Sequence, residues 1–406
     1  MATTVILGSG VIGLSTAYYL ARQQPGSSIH LVDSSPELFA SASGYAGGFL
    51  ARDWFHGSVS ELGALSFDAH RALADAEGGR DRWGYSRSVT LSYEPSGRRD
   101  DARRGEDWLL EGTSRVGVVG DRAERREGEA PAWLRRADGD VVNVVDDGEG
   151  TAIVDPLKFC HFLLGECKAA GVHVHHPATA LSVQTDVRGE LACVCIGYTD
   201  SSTETEIPAT RLLLCAGAWT PQVLTSLFSS AAASDIPVAS LGGHSLVVKT
   251  PGGSRAGDVC HSVYCSLDSL SPEMYSRAEG VIYLAGVNSA AIPLPPLATG
   301  AAPVHESVEE LKSIARRLIK LDGELEVVRT GLCFRPITDR GTPFLTRLTD
   351  EQLGGGTRTR PGADGGVFVA AGHGPWGIAL SLGTGMVMAE LMGGKKTSAD
   401  ISGLGL

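Results

Sequence analysis

The stretch TVILGSGVIGLSTAYYLARQQPGSSIHLVD, Thr4 to Asp33, constrains the fold more than any other part of the chain. It begins with an apolar run, Val5 to Leu7, of the kind that lies fully buried in a parallel sheet. Gly8, Gly10 and Gly13 come next, then apolar residues at helical spacing through Leu14, Ala17, Tyr18 and Ala21, then a second strand, Ile29 to Val32, closed by Asp33. Gly8 permits a tight turn, Gly10 lets backbone approach a pyrophosphate, and Gly13 lets the helix pack closely on the strand. The helix N-terminus, around Val11 and Ile12, supplies N–H donors and positive dipole to phosphate oxygens. Asp33 stands twenty residues after Gly13 (33 − 13), with Ser34 beside it, where an acid accepts the ribose hydroxyls. Strand, glycines, helix, strand and acid agree on a dinucleotide site. The fingerprint alone does not separate NAD from FAD.

The residues after Asp33 make that distinction. A nicotinamide domain is expected to repeat a βαβ unit soon afterwards, but the chain enters ASASGYAGGFLARDWF, Ala40 to Phe55. Ser43, Gly44, Gly47 and Gly48 suit a small-residue loop lying along an extended cofactor; the alternative is an ordinary surface turn. Farther along the chain, Asp155 and Pro156 start a helix with Phe159, Phe162, Leu163 and Cys167 inward and Gly171 as its stop, and a strand runs from Val172 to Val174. Strand-like runs come next at Ala180–Gln184, Leu191–Tyr198 and Arg211–Cys215, the last leading into Ala216, Gly217 and Trp219. A βαβ unit interrupted by an antiparallel meander and finished by a strand ending in Ala-Gly is the plan of an FAD domain. The chain returns to the same sheet at its end, with a strand from Val367 to Ala371, a loop holding His373, Gly374, Pro375 and Trp376, and a helix starting near Gly377 with Ile378, Leu382, Met386 and Leu391 inward. Such a helix aims its N-terminus at a flavin ring. His373 and Trp376 are each open between flavin or substrate contact and simple packing.

The bulk numbers narrow the remaining choices. A chain of 406 residues exceeds the usual domain of roughly 100–200 residues, so two or three domains are expected. A net charge of −12 argues against nucleic acid or an anionic membrane as partner. The eight cysteines form no CxxC pair and no His/Cys cluster has zinc spacing, so no metal is expected and the thiols read as buried small hydrophobes in a reducing compartment. No run approaches the ~18 apolar residues of a membrane span. With no signal peptide and no peroxisomal ending in SGLGL, a soluble cytoplasmic protein is expected. Gly97 to Pro131 alternates charges and reads as solvated surface, Ser307 to Leu321 as an amphipathic helix, and SSAAASD and PLPPLATGAAP as loops at the pocket.

Taken together, VILGSGVIGLSTAYYLA, LLLCAGAWTP, RTGLCFRPIT and VFVAAGHGPWGIALSLGTGMVMAEL resemble the D-amino-acid oxidase, glycine oxidase and sarcosine oxidase (DAO) superfamily of flavoproteins, in the family's order from Val5 to Leu391. SGYAGGFLARDW and SPEMYSRAEGVIYLAG further resemble a little-characterised fungal and plant branch. The resemblance implies an α/β chain, α+β overall, in which a Rossmann-like FAD-binding domain of the glutathione-reductase type is intertwined with an antiparallel-sheet substrate domain. The corresponding division is 1–55, 140–225 and 326–406 for FAD, and 56–139 and 226–325 for the substrate cap. It also implies FAD as cofactor, Ala180 among its contacts, and oxidation of the C–N bond of a small amine or amino acid by hydride transfer to flavin N5, giving an imine, with oxygen or another electron acceptor. A tailoring oxidase of a complex amine and a flavin-binding protein with a mainly interaction or trafficking role are the alternatives.

In D-amino-acid and glycine oxidases the arginine of an FRP or LRP triplet holds the substrate carboxylate, which the resemblance carries to Arg335; a structural ion pair with Asp339 is the other reading. In sarcosine oxidases a cysteine near this place bonds the flavin, which leaves Cys333 open between covalent attachment and a buried core thiol. Strand alternation puts Cys333 and Arg335 on one face. Tyr283 is expected to face substrate from the sheet above the flavin, or to be a packed tyrosine. Sarcosine-type oxidases also use a lysine near flavin N5, and Lys249 is the only lysine in the cap strands, its register undetermined.

Overall fold

The computed structural model describes residues 2–96, 128–228, 236–252, 259–267 and 270–406. Most of the charged Gly97–Pro131 stretch and all of SSAAASD lie outside the described residues.

Two sheets organise the chain. The first has six strands in the order Phe344–Arg347, Gly366–Ala371, Arg211–Leu214, Thr4–Leu7, Ile29–Val32, His173–His175. The last five run parallel and the first is an antiparallel edge. Their apolar runs are continuous because both faces are covered. Ile6, Leu213, Phe368 and Ala370 face Leu14, Val387 and Met388 on one side, while Val5, Leu7, Leu212 and Val369 face Val194, Ile196 and Leu224 on the other. The parallel strands carry Gly8, Asp33, Ala216 and His373 just beyond their C-terminal ends, which is where open α/β sheets bind ligands.

The covering meander pairs Ala178–Thr185, Leu191–Tyr198 and Glu204–Pro208 antiparallel. Its third strand is absent from the sequence reading, because Glu204, Thr205, Glu206, Ile207 and Pro208 offer one apolar residue and no period of two.

The second sheet runs Val327–Ile337, Ala239–Lys249, Val281–Ser289, Glu273–Arg277, Cys260–Cys265, Ser86–Glu94, Thr151–Ile153, Phe49–Ala51, with Val141–Asp146 paired to Ser86–Glu94. One face buries Leu246, Ile282 and Leu284 against Leu311, Ile314 and Leu318 of the helix His305–Leu318. The opposite face carries Tyr275, Tyr283, Cys333 and Arg335, and three of these four line the cavity between the sheets.

The C-terminal helix differs from expectation. It spans Ser381–Met392 rather than starting near Gly377, and Gly374–Trp376 forms a 3-10 turn. Gly374, at φ +55°, breaks the helical path, and Ser381 Oγ donates to Ile378 O at 2.8 Å to close the entry. Nor do Met386 and Leu391 lead its buried face; Leu382, Val387, Met388 and Met392 do. The helix is pressed from two sides. A Cβ on Gly385 would lie 2.5 Å from Ser15 C, and one on Gly383 would lie 2.8 Å from Ser66 Cβ.

One ion pair ties the sheets together. Asp155 caps the helix Pro156–Ala169, accepting from Lys158 N at 3.0 Å, and its Oδ2 accepts from Arg277 Nη1 at 2.9 Å. Arg277, 3% exposed in its side chain, also donates to Gly47 O at 3.0 Å. Asp155→Asn keeps a capping oxygen but leaves the buried guanidinium without its counter-charge. It is expected to cost about 3–5 kcal/mol in urea unfolding, and a loss under about 1 kcal/mol would refute this role.

Candidate cofactor and substrate site

A cavity of about 460 Å³ lies between the sheets, within the ~300–1,000 Å³ of ligand sites. Its first end is the glycine turn. Gly8, at φ +111°, approaches the neighbouring strand so closely that a Cβ would lie 2.6 Å from Cys215 O. The helix Val11–Leu20 has no side-chain cap from Gly10; instead Val11 N donates to Ser43 Oγ at 3.0 Å. A Cβ on Gly10 would stand 2.9 Å from that hydroxyl. Asp33 accepts from Ser9 N at 2.8 Å and Ser35 N at 3.0 Å, and burial pushes its carboxyl above the usual range while those N–H groups pull it down. Donors at a helix N-terminus, a floor without side chains and a largely buried carboxylate at the next strand end together fit a dinucleotide.

Of the residues singled out from sequence, Gly8, Gly10, Val11, Ile12, Asp33 and Ser34 line this end. Ser43, Gly47, Gly48, Ala180, Ala216, Gly217, Trp219, Tyr283, Cys333, Arg335, His373, Gly374, Pro375, Gly377 and Ile378 also line the cavity. Gly13 and Gly44 do not reach the cavity wall. Each serves packing: a Cβ would lie 2.0 Å from Gly8 O for Gly13 and 2.2 Å from Phe39 O for Gly44. Trp376 packs its indole edge-on against Phe55 at 4.9 Å and Trp54 at 6.5 Å, the packing role that the sequence left open for it, because the loop after Phe49 supplies aromatic partners.

At the second end, Tyr283 lies 2% exposed with its ring parallel to Tyr275, 5.7 Å between centroids, and Phe49 stacks on Tyr275 at 5.6 Å. Tyr275 Oη donates to Glu273 Oε2 at 2.7 Å, which fixes that ring. His373 is buried with Nε2 3.1 Å from Thr384 Oγ1, and burial pushes its pKa down to about 3, so it is a neutral imidazole. Burial raises the Cys333 thiol, against the opposing pull of the Arg335 and Arg329 guanidinium groups. Arg335 Nη1 donates to Asn288 Oδ1 at 2.9 Å. Lys249 pairs with Glu326 on the surface, its side chain 59% exposed, so its register carries it away from the cavity.

Sequence reasoning missed Tyr275, Glu273 and Asn288. Tyr275 had a usable signal: a hairpin centred on Glu279 places it opposite Tyr283, the register observed. It also missed His70, buried on the helix Ser60–Glu77, with Nε2 3.0 Å from Ile378 O. That bond holds the loop bordering the cavity.

A family model described as FAD dependent oxidoreductase, DAO, matches residues 3–391. The chain belongs to this family. Its FAD dependence makes FAD the cofactor of this DAO protein and agrees with the fold and cofactor expected from sequence. Among relatives, a provisionally named oxidoreductase of Schizosaccharomyces pombe is 27% identical over 98% of this chain and 96% of its own. Glycine oxidase from Geobacillus kaustophilus has a similar structure, TM-score 0.69 at 18% identity, covering 100% of this chain and 98% of that one. L-amino acid deaminase from Proteus vulgaris likewise gives 0.69 at 13% identity, covering 100% and 96%. Among the described residues no helix is long and apolar enough to cross a membrane.

The buried histidines set a pH dependence. Burial lowers His70 to about 4 and His373 to about 3 from an ordinary 6.5, and partial burial beside His173 and His175 lowers His30 to about 4. Between those values the unfolded chain binds more protons than the folded one, so stability is full above about pH 6.5 and is lost as pH falls towards 4. The urea midpoint should drop across that window, and less in His70→Gln, whose amide can still donate to Ile378 O. A flat profile would overturn the assignment of neutral buried histidines.

Proposed function

We propose that this DAO-family protein oxidises the carbon–nitrogen bond of an amino acid or a carboxylate-bearing amine. The observation that carries the reading is the Arg335 guanidinium on the cavity wall beside Cys333 and Tyr283. A planar guanidinium at the edge of a largely apolar cavity suits a carboxylate, which it takes bidentately and so orients. Two structural neighbours, a glycine oxidase and an L-amino acid deaminase, support an amino-acid-like substrate.

When bound, FAD would supply the hydride acceptor, and oxygen or another acceptor would restore it. Gly8, Gly10, Val11 and Asp33 would hold its pyrophosphate and ribose, and Ile378 and the Gly374–Trp376 turn would border its ring. The chain's own contribution at the substrate is orientation. Arg335 fixes the carboxylate, the Tyr283–Tyr275–Phe49 stack gives a flat wall that excludes water, and His373, held neutral, places no cation beside the amine. The amine must be unprotonated to release hydride from its α-carbon, so the rate should rise with pH.

Arg335→Leu is expected to raise KM for carboxylate-bearing substrates at least about tenfold, the loss of one charged hydrogen-bonded contact, with anaerobic flavin bleaching as the assay. Equal bleaching by wild type and variant would count against the reading. For Cys333, burial favours the protonated thiol, which is the poor nucleophile. Acid precipitation should therefore release yellow colour to the supernatant. Colour held in the wild-type pellet and lost in Cys333→Ala would show a covalent link instead.

A further inference from the structure

Arg335 reaches across a neighbouring strand. It lies on Val327–Ile337, whereas its acceptor Asn288 lies on Val281–Ser289, and Ala239–Lys249 runs between them. The span is two strand spacings, roughly 10 Å, which an extended arginine covers only if nothing stands in its way. Gly243 stands at that crossing, opposite Cys333 on one side and Asn288 on the other. A Cβ there would lie 2.9 Å from Asn288 Oδ1 and 3.4 Å from Arg335 Cζ, so any side chain would push into the contact.

The partner's chemistry is as informative as its place. A guanidinium has donors only, so the amide oxygen of Asn288 must face it. An aspartate of the same shape would hold the arginine equally well but would cancel its charge. A neutral acceptor orients the guanidinium without neutralising it. We propose that Asn288, through the gap left by Gly243, is a positioning residue that presents Arg335 to an anionic substrate and sets a preference for carboxylates over neutral isosteres. The inference rests on the carboxylate-binding reading of Arg335.

The holoprotein is titrated with benzoate and with benzamide, its neutral isostere, following the flavin absorbance, with thermal melting as a check on folding. Wild type should favour benzoate. Asn288→Asp should weaken benzoate at least about tenfold at neutral pH and leave benzamide within about twofold. Asn288→Ala and Gly243→Ala should each weaken benzoate several-fold by releasing the guanidinium. Arg335→Leu should abolish the benzoate preference. If Arg335→Leu binds benzoate as wild type does, the carboxylate reading itself fails. If Arg335→Leu loses benzoate while the isosteric Asn288→Asp keeps wild-type affinity at neutral pH, the role of Asn288 alone is overturned. A loss of benzoate and benzamide alike in Asn288→Asp would mark Asn288 as merely structural.

Discussion

The Asp155–Arg277 pair is the contact on which the two halves of the molecule depend. Asp155 starts the helix that packs beneath the glycine turn, and Arg277 ends the strand that carries Tyr275. Their 2.9 Å bond, with the donation from Arg277 to Gly47 O, fixes the small-residue loop between both sheets. A buried pair of this kind adds little net stability over an apolar packing of equal shape, but losing one partner strands a charge. What the pair contributes is registry. The dinucleotide end and the tyrosine-lined end of the cavity lie on different sheets, and the loop held by this pair borders both.

Much of the cofactor side was legible because its chemistry is local in the chain. Gly8 and Gly10 sit between a strand and a helix, Gly13 lies in the first turn of that helix, and an acid twenty residues on obeys the same geometry. The Asp155 cap and Pro156 start were readable for the same reason: one side chain, one backbone N–H, three residues apart. The strand Glu204–Pro208 and the true start of the helix Ser381–Met392 were not readable. The first lacks an apolar period, and the second is decided by a positive φ at Gly374 and by close packing on Ser15 and Ser66, which are hundreds of residues away.

The substrate side was legible only in part. Alternation along one strand correctly joined Cys333 and Arg335, since period two is intrinsic to a strand. Asn288 and Gly243 belong to other strands, and their relation to Arg335 exists only once three registers are set. Trp376 stayed open between two roles for a related reason. A loop indole next to a cofactor turn and one packed on Trp54 and Phe55 look alike until the core is assembled.

The residues that hid Glu204–Pro208 from pattern reading have a consequence for the solution behaviour of the protein. Among the described residues this strand is the outer member of its three-stranded sheet, with a row of backbone groups turned away from the one strand it pairs with. An apolar, regular strand there would be a template on which a second molecule could add and begin a chain of stacked copies. Two glutamates repel an incoming strand of the same sequence, and Pro208 removes a donor that such a strand would need. The weak strand signal and the poor template this edge offers to an added strand have one origin in these side chains.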